Sequence, residues 1–156
     1  MPFHPSIVHL PIVLSFMLPF VMIFCFLMLK TQKSHHLIWA LVIFLQGIVV
    51  LSGYLALESG EIEEDRVEKI VEAKMINQHE EAAEIFVGFS VIIFCLNIVA
   101  YFLKGQYQFN VMLTAIFLAF VSLFLGINVG SRGGDLVYKH GAGRAFLPDF
   151  KQEFHR

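Results

Sequence analysis

Seven histidines are scattered over 156 residues. Four of them, His4, His9, His79 and His140, stand where apolar stretches meet polar ones. Imidazole ligates haem iron, copper and zinc, and it carries protons near neutral pH. The opening "HPSIVHLP" places His4 and His9 around Pro5, a residue favoured in a helix's first turn because its missing N–H is not needed there. Five helical residues turn the chain by about 500°, so those two rings point roughly 140° apart and face different neighbours. His79 lies in "QHEEAAE". A helical HExxH zinc motif requires a second histidine where Ala83 stands. The Glu-x-x-His of carboxylate di-iron bundles requires an acid where Ile76 stands. Both patterns fail, and Glu80 and Glu84 remain as partners for a ligated ring.

Downstream, Gly126 and Gly130 are four residues apart and are followed by Gly133, Gly134 and "LVYKHGAG". A GxxxG step lets another helix backbone come close in lipid, and it also leaves room for a flat macrocycle. The glycines of "GGDLVYKHGAGR" would let the chain turn back as a re-entry cap that presents His140. Haem b suits these residue types: neutral imidazoles on separate helices, a greasy pocket, small residues against the ring, and Arg132 and Arg144 for the propionates. His9 and His79, or either with His140, are candidate axial ligands, and with His4 the four could serve two haems. The same histidines could instead hold Zn, Cu or Fe.

Four apolar stretches must position these groups. They run over about 6–29, 37–57, 82–103 and 109–129, each near the roughly 20 residues that cross the hydrocarbon. None alternates as a barrel strand would, so the expected fold is all-α, an integral membrane four-helix bundle. Hydrophobic residues make up 57% of the chain and charged ones 15%, against about 45–50% and 25% in soluble domains. The length suits one domain. The N-terminus lacks the basic region and cleavage site of a signal peptide, and is expected to remain as the first helix.

The segment 58–81 is acidic, with Ile62, Val67, Ile70, Val71 and Met75 at three- and four-residue steps. It predicts an amphipathic acidic helix between spans 2 and 3, lying on the surface or extending the third span. The tail is 131–156. Cys25 and Cys95 both fall in apolar runs, with no CxxC and no basis for a disulfide framework. Net charge is −2, and without a basic run nucleic acid is not an expected partner.

Four spans put both termini and the segment after the second span on one side. Topology therefore gathers His4, His9, His79 and His140 at one membrane face. His35 and His36 fall on the other face with Lys30 and Lys33, and His155 lies in the tail. Basic residues do not settle which face is cytoplasmic: Lys30, Lys33 and Lys104 oppose Arg66, Lys69, Lys74 and five basic residues after Gly130.

"HPSIVHLP" at 4–11, "GYLALESGE" closing the second span, His79 heading the third and "GGDLVYKHGAG" at 133–143 together resemble the bacterial membrane proteins of domain-of-unknown-function family 2231. The resemblance covers nearly the whole chain. Its pattern falls on His4, Pro5, His9, Pro11, His79, Gly133, Gly134, His140 and Gly141. It implies a four-span membrane domain, in some relatives associated with c-type cytochrome domains. That association implies redox work and places the histidine face outside the cytoplasm of a bacterial inner membrane. "KHGAG" departs from the more usual "HGVG", and the chain has no CxxCH for covalent haem.

The leading expectation is a haem-b-binding electron-transfer protein between the quinone pool and an extracytoplasmic partner, such as a c-type cytochrome or another redox subunit. The alternatives are a structural or assembly subunit of a larger respiratory complex, or a His-ligated metalloprotein. A homodimer fits any of these. Transport is disfavoured, since no charged residue lies deep in a span.

Overall fold

The computed structural model describes residues 4–29 and 35–147. Lys30, Lys33, His155 and the end of the tail lie outside the described residues, as do the side chains of His35 and His36.

Among the described residues every regular element is helical: α1 (His4–Ile7), α2 (His9–Leu29), α3 (His35–Val67), α4 (Ala73–Phe102), α5 (Gly105–Tyr138) and a short 3-10 helix (Ala142–Phe146). α1 and α2 are one apolar span with a break at Val8. The break has a local cause. Pro11 has no N–H to give to the carbonyl four residues earlier, at Ile7, so the helical ladder loosens there.

The long helices run alternately up and down. α2 packs on α3, α3 on α4 and α4 on α5, and α5 closes the ring against α2. Their inward faces make one core, with Leu18, Met22, Trp39, Val42, Ala100 and Ala115 all buried. The outward faces carry exposed Phe24, Phe44, Phe117 and Phe124. Such apolar surface suits a fold whose outer solvent is lipid. Inside the bundle, close approach and buried amides lock the register. Gly53 lies against Val87, Gln46 Nε2 donates to the Ser90 carbonyl at 3.0 Å, and Trp39 Nε1 donates to the Asn97 carbonyl at 3.2 Å.

Two expectations change. The acidic segment is not a helix of its own between spans 2 and 3: its second half extends the third span, one of the two expected alternatives, and its first half extends the second span. α3 continues to Val67, the chain turns over 68–72, and α4 begins at Ala73. Glu, Lys and Arg are good helix formers and no proline interrupts them, so both spans simply extend into water. The apolar spacing has another use. Val71 and Ile76 pack with Ala142 in a small second core, with Val67, Ile70, Met75 and Leu136 against it.

The fourth span does not stop at "GSRGGD" either, because α5 runs on to Tyr138. Gly133 and Gly134 stay helical, at a cost of about 1 kcal/mol each relative to alanine. The turn comes later, at Gly141, which takes φ 73°. The expected re-entry cap thus shrinks to this turn and the 3-10 helix.

α3 has 33 residues, about 50 Å of rise, while the hydrocarbon layer is about 30 Å thick. The excess of α3, α4 and α5 lies on the side where α1 begins. This projecting polar end is where the histidines collect.

Candidate functional site

His4 opens α1, which lies against α3. Its ring Nδ1 is 2.9 Å from the Ala56 carbonyl and 3.1 Å from Ser59 Oγ. The Ser59 hydroxyl itself donates to the Ala56 carbonyl at 2.8 Å. A carbonyl only accepts, so the tautomer assigned to His4 has its hydrogen on Nδ1 and leaves Nε2 as the lone-pair nitrogen. The His4 backbone N–H points to Glu63 Oε1 at 3.4 Å. Close approach of α3 is possible because Gly60 is there: a Cβ at that position would sit 3.3 Å from the His4 Cε1.

His79 lies two turns into α4, just before the apolar run. The Val129 backbone carbonyl of α5 hydrogen-bonds its ring, while Nδ1 is buried and has no partner among the described residues. α5 supplies a second accommodation. A Cβ at Gly133 would come 3.1 Å from the His79 Cε1, so the glycine leaves the space that the ring occupies.

The two rings meet edge to face, with centroids 6.2 Å apart and planes at 89°. Residues 75 positions apart, on α1 and α4, thus share one spot at the lipid boundary. Each ring is held through one nitrogen to a backbone carbonyl and keeps the other as a lone pair. Metal-ligating histidines are held in this way, the carbonyl setting tautomer and orientation. Two metal–imidazole bonds of about 2.0–2.1 Å separate ring centroids by roughly 5 Å at a tetrahedral angle, and by a little over 6 Å only when the two ligands oppose each other. The same separation is also an ordinary edge-to-face contact.

The other candidates do not join the pair. His9 and His140 are exposed; His9 sits about 140° around the helix from His4, and His140 follows the end of α5. The rings brought into contact are those of His4 and His79; the expected pairings are of His9 with His79, or of either with His140. Arg132 is committed within the protein: Nη1 donates to the Gln78 carbonyl at 3.0 Å and Nε to Asn128 Oδ1 at 3.2 Å, tying α5 to α4 one residue from His79. Arg144 is exposed, beside Gly141.

Gly126 and Gly130 serve helix packing. A Cβ at Gly126 would be 2.9 Å from Ser15 Oγ and 3.4 Å from Phe86 Cε2, and one at Gly130 would meet Ile12 Cδ1 at 3.5 Å. Side chains already fill the faces a macrocycle would need. The residues as packed leave no room for a porphyrin at this seam, and the His4 and His79 imidazoles are the described side chains that could take an ion there. Among the described residues, no three His, Cys, Asp or Glu side chains converge on one point. An ion held by the pair would keep open positions. Sequence reasoning missed Ser59 and Gly60 as the seat of His4, although "ESGE" carried the signal: small residues at the end of a span, facing another element.

Fold and boundary site define an antiparallel, multi-pass helical membrane protein with a polar, histidine-bearing end. The chain belongs to the family described as predicted membrane protein (DUF2231), whose model matches residues 1–145. No curated protein and no solved structure matches it.

Gly133 offers a way to disturb the imidazole pair without replacing either histidine. Gly133→Ala is expected to leave the bundle folded, since alanine favours helix by about 1 kcal/mol, while moving the His79 ring by a few tenths of an ångström. Circular dichroism in detergent should be unchanged, while the His79 ring resonances of the same sample, followed by NMR, should shift.

Proposed function

We propose that the chain is a multi-pass subunit of a bacterial inner-membrane redox assembly, and that His4 and His79 hold a transition-metal centre, copper or iron, at its extracytoplasmic end. One observation carries this reading: two imidazoles from distant helices, each anchored by a backbone carbonyl through one nitrogen, lie at the separation of ligands to a common metal. When bound, such an ion would supply one-electron chemistry. The chain's own residues orient the rings, keep one lone pair on each, and shield Nδ1 of His79 from water. An electron route from the quinone pool to a soluble or membrane-bound partner is the finer form of the proposal.

The test is to purify the full chain in mild detergent from metal-replete cells, measure bound metals by mass spectrometry, and record oxidised and reduced spectra. About one copper or iron ion per chain is expected by analogy with two-histidine ligation. Metal far below that ratio overturns the reading. A Soret band would identify haem b instead and would mean that the seam at Gly126 and Gly130 opens around it.

A second reading rests on the bonds of His4 to Ala56 and Ser59. There the histidines stitch α1 to α3, and the chain is a structural or assembly subunit of a respiratory complex. A protein that never holds metal, but loses its membrane partners when His4 is replaced, supports this one.

A further inference from the structure

The imidazole pair offers an ion few donors, and those donors are neutral. Among the described residues no third His, Cys, Asp or Glu converges with the two rings. Glu63 meets the His4 backbone N–H, at 3.4 Å, and does not join them. Ser59 Oγ stands at Nδ1 of His4, the nitrogen already given to the Ala56 carbonyl. What remains is one lone-pair nitrogen on each ring, Nε2 of His4 and the buried, unpartnered Nδ1 of His79.

Geometry narrows the ion further. The ring centroids are 6.2 Å apart. A tetrahedral angle at the ion would bring them to roughly 5 Å, and only opposed ligands hold them at a little over 6 Å. Zinc takes its ligands in a tetrahedron. Non-haem iron(II) takes two histidines and a carboxylate on one face, and copper(II) a tetragonal set of nitrogen and oxygen donors. Haem iron accepts opposed imidazoles, but the porphyrin supplies its other four donors, and side chains fill the seam at Gly126 and Gly130. Copper(I) has a filled d shell and a single charge, and two donors in line satisfy it. Arg132, one residue from His79, and Glu63, at the His4 backbone, carry opposite unit charges. Together they do not supply the negative field that draws a divalent ion out of water.

We propose that the pair binds copper(I) selectively, as a two-coordinate ion held in line between His4 Nε2 and His79 Nδ1. The proposal rests on the metal-centre reading above and narrows its metal, oxidation state and geometry. Selectivity comes from the anchors. The Ala56 and Val129 carbonyls hold the two rings, and the Cε1 edges lie against α3 and α5 at Gly60 and Gly133. Drawing the centroids from 6.2 Å to the roughly 5 Å of a tetrahedral ion pulls a ring off its carbonyl. The site therefore keeps copper in its reduced state and turns divalent ions away.

The test purifies the full chain in detergent under a reductant and loads it with copper(I), zinc(II) and iron(II), singly and in competition. X-ray absorption at the copper edge then reads oxidation state, ligand atoms and ligand number. The expected result is one copper(I) per chain that neither zinc nor iron displaces, with two nitrogen ligands and the edge feature of a linear ion. His4→Gln and His79→Gln should each lose that signature. Zinc or iron bound in preference, or copper with three or more ligands, overturns this inference and leaves a metal centre at the pair standing. A sulfur ligand would move the copper to Cys25 or Cys95 and overturn it as well. Absence of any bound metal overturns the metal-centre reading along with it.

Discussion

Gly126→Leu is expected to prevent the bundle from assembling, and Gly126→Ala to destabilise it by about 1–2 kcal/mol after the gain in helix propensity is counted. The reason is where α5 meets two neighbours. The space that a Cβ would take is bounded at 2.9 Å by Ser15 Oγ and at 3.4 Å by an edge of Phe86. Ser15 is short and hydrogen-bonded to its own helix at the Ile12 carbonyl, so it cannot swing aside without losing that bond. Phe86 is buried at 3% exposure and has nowhere to move. Gly88 and Gly134 are the controls, since a Cβ on either meets nothing within 4 Å. Alanine at those two positions should be neutral or stabilising, by up to about 1 kcal/mol. Reversible unfolding of the four variants in mixed micelles checks the contrast. Equal stability of Gly126→Ala and Gly88→Ala would show that α5 does not approach α2 and α4 this closely.

The second large effect is on ligand binding. On the proposed metal centre, His4→Gln and His79→Gln should each abolish stoichiometric metal, whereas His9→Gln and His140→Gln should leave it unchanged. Removing even a partner of a ligand typically costs 10–100-fold in metal affinity, and removing the ligand costs more. Glutamine preserves length and hydrogen bonding, so helical content should survive in all four proteins. The prediction is pointed because sequence spacing treats the four histidines alike, while the fold separates them into a meeting pair and two exposed rings. Retention of metal by His79→Gln with loss in His140→Gln would move the site to the end of α5. Titration of copper and iron into the detergent-solubilised variants decides between them.

Both results bear on how the polar end is built. α3, α4 and α5 rise beyond the lipid as continuous helices, and the small core of Val71, Ile76 and Ala142 ties the hairpin tip to the 3-10 helix. The histidine pair lies at the root of that projection. α1 covers it from one side, and Arg132 fastens the α4–α5 contact through the Gln78 carbonyl. An imidazole held this way is preorganised, with its orientation set before any ligand arrives.

The amino-acid order by itself determined the four spans and their parity. Lipid demands runs of about 20 apolar residues and tolerates little else, so Leu37–Leu57 or Ala82–Leu103 read as helices without any knowledge of neighbours. Parity then follows from counting, and with it the gathering of His4, His9, His79 and His140 at one end. Tertiary structure alone decided which rings meet. Angular position around each helix axis, the break that Pro11 allows at Val8, and the register of α4 on α5 bring His79 to Gly133 and His4 to Ser59. Those choices depend on how side chains interlock across helices, and local periodicity carries no information about that. The same holds for the glycines: Gly126, Gly130 and Gly133 announced close approach, but only packing could say that Ser15, Ile12 and His79 are what approaches.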